Sequence, residues 1–539
     1  MRVSRRSLIA GSVVGAAAGV GALALGQAEA AIPGTLGGAD LSRGHRLRKG
    51  DFPAPVETRQ THIAIIGGGV AGLSAAWAFA NAGVRDFRLL ELEDRTGGNA
   101  RSGRNHVSAY PLGAHYLPIP NAEAKGIIRL LEQLGIVTGW QDGKPVYDPY
   151  SIVADPDERL FYLGKWRDGL VPALAIEPRD KDDLAAFFTA MDAFRDRRDA
   201  RGRPAFAIPM ALSARDPDLL ALDRLSFAEW IDARGWHSPI LRGHVRYACR
   251  DDYGTEPDQV SAWAGIHYFA SRRGHAANAD PDAVLTWPEG NGHLVGRMAA
   301  RLKEHLDCGQ IVHRVDAGEE GVTIDSFDVG RGGTVRLKAK AAILAMPHFI
   351  ARHLLPDHPV AGDRFDYAPW VVANVTVDRP PVGSGTALAW DNVAWNSESL
   401  GYVVASHQSL ASVPGATVLT WYLPLSDMPP AAARRLMLDR SLGEWQAMVR
   451  DDLLRINPDL TGAIRRVDVW RWGHAMIRPV PGFFWSGARE QAGEARPPLY
   501  FAHADLSGLS LFEEAHYRGT IAAQAAMTQL GISHDDALV

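Results

Sequence analysis

Cysteine is nearly absent from this chain: its 539 residues include two, Cys249 and Cys308. One bridge is the most they can form, so a disulfide framework and a four-cysteine metal site are both excluded. A basic excess is also missing. Lys and Arg number 57 against 62 Asp and Glu, a net charge of −5, which removes the main electrostatic drive for nucleic-acid binding. Internal repeats and long low-complexity runs are lacking, which sets solenoids and fibrous folds aside. What remains, 46% hydrophobic and 22% charged residues, is ordinary globular composition. The length allows roughly two to four domain-sized units.

The first thirty residues have the three-part layout of a secretory signal. Arg2, Arg5 and Arg6 precede an apolar run, Leu8 to Leu25, and Ala28-Glu29-Ala30 offers a peptidase-type site. The run is weakly apolar for its length, which favours a cleaved signal over a membrane anchor. Ser4-Arg5-Arg6-Ser7-Leu8-Ile9 resembles the twin-arginine export signal. That resemblance implies delivery by the export machinery, already folded around a cofactor, to the periplasm or the outside of the cell. Residues 31–60 hold scattered Gly, Pro and Arg without periodicity and read as a linker.

Thr61 to Ile66 is a short β-branched run, and Gly67-Gly68-Gly69-Val70-Ala71-Gly72 follows at once. Leu73, Ala76, Trp77 and Ala80 then recur at helical spacing up to Gly83. The glycines therefore sit where a buried strand turns into a helix. Gly67 permits the tight turn, Gly69 lets a diphosphate approach the backbone, and Gly72 lets helix and strand pack closely. The helix start, Val70 and Ala71 included, turns unpaired N–H groups and the positive dipole end toward phosphate. A second strand, Phe87 to Leu92, carries Glu91, twenty-two positions beyond Gly69. That is the spacing of an acid that accepts hydrogen bonds from a ribose.

Glu91-Leu92-Glu93-Asp94-Arg95-Thr96-Gly97-Gly98 is similar to the second signature of FAD-binding oxidoreductases. The whole chain resembles the flavin-containing amine oxidase superfamily, which includes monoamine and polyamine oxidases and, more distantly, carotenoid desaturases. Tyr110-Pro111-Leu112-Gly113-Ala114-His115-Tyr116 resembles the segment that passes beside the flavin ring. Thr286 to Leu294 resembles the Gly-rich return to the FAD domain. Gln310–Val315 and Ala341–Pro347 resemble the strands that complete it, with Val312 near the adenine. Tyr500-Phe501-Ala502 with Asp505, then Phe512-Glu513-Glu514-Ala515 and Gly519, resembles the closing motif.

The resemblance implies an α/β fold: an FAD-binding Rossmann-like domain of the glutathione-reductase type with an inserted α+β substrate domain. The FAD domain is expected over residues 61–119, 284–347 and 486–539, and the substrate domain over 120–283 and 348–485. FAD binding is expected at Gly67, Gly69, Val70, Ala71, Gly72, Glu91, Gly97, Gly98, Asn99, Gly113, Ala114, Val312, Asp505 and Leu511. No second Gly-x-Gly-x-x-Gly unit appears, so electrons are expected to enter from a small-molecule substrate and leave to oxygen, a quinone or a cytochrome. The implied reaction is hydride removal from an amine or polyamine. The alternatives are a C–C desaturase for an apolar substrate and a flavin-binding electron carrier.

His115 and His474 are the candidate catalytic bases, each weighed against a structural role. Trp472 and Trp485 are candidate aromatic walls, although fifteen tryptophans make core packing the commoner fate of any one. Four departures from the family pattern stand out. Val372-Ala373-Asn374 occupies the stretch where a flavin-side lysine is common, and no lysine follows Lys340. Leu511 stands where an aromatic-cage residue is expected, and Asn99 where Arg is common. The closing motif has no cysteine, so FAD is expected to be non-covalent, with no thioether there. No metal site is expected.

In the inserted domain, Lys125–Leu134 and Asp182–Phe194 read as helices, and Ser226 with Glu229 as a capping box. Val371–Val377 and Leu400–Val404 read as strands. Arg246, Arg250, Asp251, Asp252 and Tyr253 form a charged cluster. A salt-bridged turn is the favoured reading, with recognition of an ammonium by the carboxylates as the alternative.

Overall fold

The computed structural model describes residues 31–360, 364–409 and 415–535. The export-signal expectation for residues 1–30 lies outside that range. Among the described residues no helix is long and apolar enough to cross a membrane, and Cys249 and Cys308 are both free.

Two large sheets organise the chain. The first has seven strands and contains β2 (Pro55–Ile66) and β3 (Phe87–Glu91), paired in parallel. On the other side of β2 lies the long strand Gly333–Leu344, also parallel, whose far end pairs with Leu499–Phe501. The inner half of β2 is buried on both faces, as its unbroken apolar run requires. Helix α2 (Val70–Asn81) follows the Gly-rich turn and is buried from Val70 to Phe79. Its Ala-rich surface lets the closing helix, Phe512–Gln529, cross it closely. A Cβ on Gly519 would stand 2.1 Å from Ala71 O, so backbone rests on backbone there. Leu73 and Phe79 are wholly buried beneath this crossing, each contributing roughly 1.5–3 kcal/mol.

The second sheet has eight strands, of which Tyr367–Val377, Thr417–Pro424 and Ile464–Ile477 form the middle, all antiparallel. Glu158–Tyr162 and Lys165–Asp168 extend one edge. Along the central strand Val371, Ala373 and Val375 enter one core while Trp370 and Val372 enter another, the period-two alternation of a sheet covered on both faces. The expected helices and strands are present as Lys125–Gln133, Pro178–Asp196, Tyr367–Val377 and Gly401–Val404. The capping box at Ser226 and Glu229 opens Phe227–Asp232.

The linker expectation for residues 31–60 is corrected. Leu36–Gly38 forms strand β1, Leu41–Lys49 forms helix α1, and β2 begins at Pro55. Short range explains the miss: α1 has no buried residue, so it shows no apolar stripe.

Candidate active site

A cleft of about 680 Å³ runs along the edge of the first sheet. The turn after β2 forms its floor. Gly67 has φ 107°, and a Cβ there would meet Ala345 O at 2.5 Å. A Cβ on Gly69 would meet nothing within 4 Å, so the space above it is open for a diphosphate. Gly69 is also the N-cap of α2 and offers no side-chain cap, which leaves the first N–H groups directed to the cleft. Gly72 does not reach the cleft. A Cβ there would lie 1.8 Å from Gly67 O, so its part is helix–strand packing and not direct cofactor contact.

Glu91 lines the cleft and accepts hydrogen bonds from Gly68 N (2.5 Å) and Glu93 N (2.8 Å). Burial lifts its carboxyl pKa above the ordinary value against those two bonds. Ribose hydroxyls are the remaining donors such a carboxylate needs. Gly97, Gly98, Asn99, Ala114, Val312 and Leu511 line the same cleft, and no cysteine does. These features fit FAD: bare backbone for the diphosphate, an acid for the ribose and an apolar strand at Val312 for the adenine.

Asp505 borders the cleft, but its carboxylate is taken up by protein. It accepts from Tyr367 Oη (2.5 Å) and His348 N (3.0 Å), and His503 Nδ1 lies 2.9 Å away. Burial opposes its charge, yet the imidazole, hydroxyl and amide outweigh burial and lower its pKa. These bonds fix the junction between Phe501 and the closing helix, with Asp505 on the wall of the cleft where FAD binding is expected.

At one end the cleft opens into an inner chamber of about 140 Å³. Asn99, Ala114, Trp472, Ala475, Leu511 and Phe512 border both spaces, so these residues would flank the flavin ring of a bound FAD. Gly113 lines the chamber itself, and Tyr422 Oη donates to Gly113 O (3.0 Å). Trp370, Tyr422 and Trp472 wall it, and Trp472 Nε1 donates to Leu112 O (2.5 Å). Aromatic walls are therefore supplied from the second sheet, in place of the one expected at Leu511. Val372 lines the chamber, whereas Asn374 is buried and accepts from Thr420 Oγ1 (2.9 Å).

His115 lines this chamber, stacked on Tyr422 with ring centroids 4.6 Å apart. Burial lowers its pKa to about 4, against a backbone contact at Gly113, so it is neutral at pH 7. His474 is not brought there. It borders the dinucleotide cleft, stacked on Phe349 at 4.3 Å, and burial followed by the Arg434 and Arg48 charges lowers its pKa to about 4. The catalytic expectation for His474 is corrected: it is a cofactor-side residue. Trp485 packs edge-on against Trp263 in the helical core, outside the chamber.

Beyond the inner chamber lies an outer one of about 240 Å³, sharing His115, Tyr116, Asp251 and Arg272 with it. Six carboxylates line the two spaces: Asp251, Asp252 and Glu513 inside, and Glu158, Asp282 and Asp391 with Asp251 outside. The guanidiniums on these walls are Arg272 and Arg195. Arg272 is committed to Asp252 (2.8 Å), and Arg195 reaches Asp192 and Phe269 O. Glu513 is 3% exposed and, among the described residues, has no hydrogen-bond partner beyond its own backbone amide. Asp251 has no protein partner among the described residues. Burial raises the carboxyls of Glu513 and Glu158 to about 7, and raises Asp251 and Asp391 as well. Carboxyls raised in this way, clustered on one cavity, are suited to a cationic ligand.

The charged cluster on Pro239–Tyr253 thus divides. It lies on a helix, not a turn. Arg246 pairs with Glu256 (2.8 Å), and Arg250 is buried against Ser426 Oγ (3.0 Å) and Ser397 O (3.2 Å). Asp251 alone turns to the chambers without a partner. Glu158, Asp391, Arg272 and Tyr422 went unrecognised in the sequence, since each lies in a different segment with no common spacing. Glu513 lay inside the closing motif, and its acidity next to a predicted flavin was the available signal.

A model of the family "flavin containing amine oxidoreductase" matches residues 70–527. Amine oxidase [flavin-containing] A of Canis lupus familiaris is 39% identical over 280 residues, 51% of this chain and 48% of that protein. The match thus spans about half the length of that relative. Oxidoreductase PigB of Serratia is 23% identical over 89% of this chain and 77% of its own. Among solved structures, wild-type putrescine oxidase bound to putrescine superposes with a TM-score of 0.65 at 16% identity, covering 87% of this chain and all of that one. Cyclohexylamine oxidase from Brevibacterium oxydans gives 0.61 at 17% identity, over 88% of this chain and all of its own. A fatty acid isomerase from P. acnes gives 0.59 at 16% identity, over 87% and 98%.

Proposed function

This chain belongs to the flavin-containing amine oxidoreductase family, and we propose that within it the protein oxidises a C–N bond of a diamine or polyamine, in the periplasm or outside the cell. The observation that carries this reading is the set of carboxylates lining the outer and inner chambers that lead to Gly113 and Ala114: Asp252 is held by Arg272 and Asp391 accepts from Tyr247 Oη, while Glu158, Asp251, Asp282 and Glu513 have no cationic partner among the described residues. A substrate with two or more ammonium groups supplies the charge those walls lack. A desaturase for an apolar substrate calls for a mouth without carboxylates, and Glu158, Asp282 and Asp391 stand at this one.

FAD, held non-covalently, supplies the hydride acceptor. The chain's residues prepare the substrate. Asp251 and Glu513 draw an ammonium inward, and the outer Glu158 and Asp391 hold its distal partner. An amine must lose a proton before its α-carbon can give up hydride. A carboxylate with pKa about 7, such as Glu513, is suited to take that proton at neutral pH. Neutral His115 accepts a hydrogen bond from the resulting amine nitrogen, and Trp370, Tyr422 and Trp472 exclude water while the C–H bond breaks. The iminium product hydrolyses to an aldehyde and an amine. An external acceptor, oxygen, a quinone or a cytochrome, removes the electrons.

The test is a matched pair of substrates. Aldehyde formation from 1,4-diaminobutane is expected to show kcat/KM at least about tenfold above that from butylamine, one charge-assisted contact's worth. Equal values, or no aldehyde from either, would remove the polyamine reading.

A further inference from the structure

The segment just after residue 31 joins both halves of the molecule across the dinucleotide cleft. On one side β1 is the edge strand of the second sheet and pairs in parallel with Ile464–Ile477, Leu36 opposite Val469 and Gly38 opposite Arg471. On the other side Asp40 N donates to Glu93 Oε1 (2.9 Å). Arg43 donates to Leu92 O (3.0 Å) and pairs with Asp94 (2.7 Å). Leu92, Glu93 and Asp94 form the turn that follows the ribose acid Glu91. Asp40 also caps α1, which ends at Gly50 in the left-handed region, φ 63°. The ends of the segment are thus pinned, and the stretch between them borders the cleft through Leu41, His45, Leu47 and Arg48.

The charges along this stretch are unevenly used. Arg43 is spent on Asp40 and Asp94. Arg46 lies over the rings of Phe327 (3.9 Å) and Phe52 (4.8 Å). Arg48 pairs with no carboxylate among the described residues, yet it borders the cleft together with His45, His474, Arg434 and Arg435. Its charge is felt there: after burial, the nearby Arg434 and Arg48 are what hold the His474 imidazole neutral. Asp366 offsets part of the charge around Arg434 and His474, but Arg48 itself has no acidic partner among the described residues, and the guanidiniums bordering the cleft favour an anion between them. FAD brings a doubly charged diphosphate into this cleft.

We propose that residues 36–50 are a clasp that holds FAD in the cleft, with Arg48 as its cation toward the cofactor's phosphates. The inference rests on FAD occupying the cleft. It assigns cofactor-binding residues outside the strand–turn–helix motif, and it makes the rate of FAD loss a property of the N-terminal segment.

The experiment uses full-length holoenzyme diluted to nanomolar concentration, with free-FAD fluorescence followed over time. Arg48→Ala is expected to release FAD about tenfold faster, and Arg48→Glu faster still, whereas Arg48→Lys stays within a few-fold of wild type. Release from wild type is expected to accelerate with salt, and this dependence is expected to shrink in Arg48→Ala. The double variant Asp40→Ala/Arg43→Ala, which frees the clasp from the Glu91 turn, is expected to release FAD faster as well. Arg48 is exposed and has no hydrogen-bond or ion-pair partner among the described residues, so Arg48→Ala folds even if the double variant does not. Wild-type release rates and an unchanged salt dependence in Arg48→Ala would overturn the clasp. Protein that never takes up FAD in any form would overturn the cofactor assignment instead, a different outcome from the same instrument.

Discussion

Replacing Asp251 by Asn removes one negative charge from the wall between the two chambers and changes almost nothing else in shape. No protein group loses a partner, because Asp251 has none among the described residues. A charge-assisted hydrogen bond is worth about 1.5–3 kcal/mol. Asp251 stands on an open chamber wall and not in a closed cage, so the lower half of that range applies, a fall in kcat/KM of about tenfold to fortyfold for a diamine. Stability moves the other way. Burial and the neighbouring Asp252 raise the Asp251 pKa above its ordinary 3.8, so above that pH the unfolded chain ionises this group more readily than the folded one does. The folded state is penalised increasingly as pH rises from about 4, and Asn abolishes the penalty. Thermal unfolding of apoprotein at pH 8 is expected to shift upward, by about 2 °C for each kcal/mol recovered, with no shift near pH 4. Steady-state kinetics and melting curves on one preparation decide it. Unchanged kcat/KM for the diamine, or a lower unfolding midpoint at pH 8, would refute the idea that this carboxylate waits for a cation.

Substrate binding should also depend on pH. An ammonium favours the ionised carboxylates, whose pKa values lie near 7 at Glu513 and Glu158. Binding therefore releases protons, and KM is expected to fall as pH climbs from 6 to 8. A flat or rising KM contradicts this. Gly69→Val and Gly72→Val should separate cofactor contact from packing. Gly69 faces open space, so its variant should fold normally as apoprotein yet bind FAD at least about tenfold more weakly, by calorimetry. At Gly72 the added Cβ meets Gly67 O at 1.8 Å, so its variant should express poorly or melt several degrees lower. Acid precipitation should release flavin into the supernatant with no cysteinyl-flavin peptide left in the pellet, since no cysteine lines the cleft.

The cofactor half of the site was legible because its chemistry is local. A tight turn, an open floor, a helix start and a ribose acid fall within one strand–helix–strand unit, and the structure brings Gly67, Gly69, Glu91, Gly97 and Gly98 together as that spacing demands. Asp505 was legible as a position on the cleft, but its partners Tyr367 and His348 were not, because they come from another part of the chain. The substrate half was not legible. Its walls are built from residues near 115, 158, 251, 272, 391, 422 and 513, and only the folded sheets place them side by side. His474 shows the same limit within one strand. Register breaks opposite Ala368 and Trp370, so Trp472 reaches the chamber while His474, two residues on, falls beside Phe349 in the cofactor cleft.

Anaerobic mixing of the oxidised holoenzyme with amines reports on the heart of this account without any choice of electron acceptor. A diamine or polyamine is expected to bleach the oxidised-flavin absorption band in a single turnover, faster than a monoamine of equal length, while an uncharged apolar compound leaves it untouched. A flavin that keeps its full absorbance with every amine, or that is reduced by an apolar substrate alone, would contradict the claim that these carboxylate walls exist to bring an ammonium to FAD.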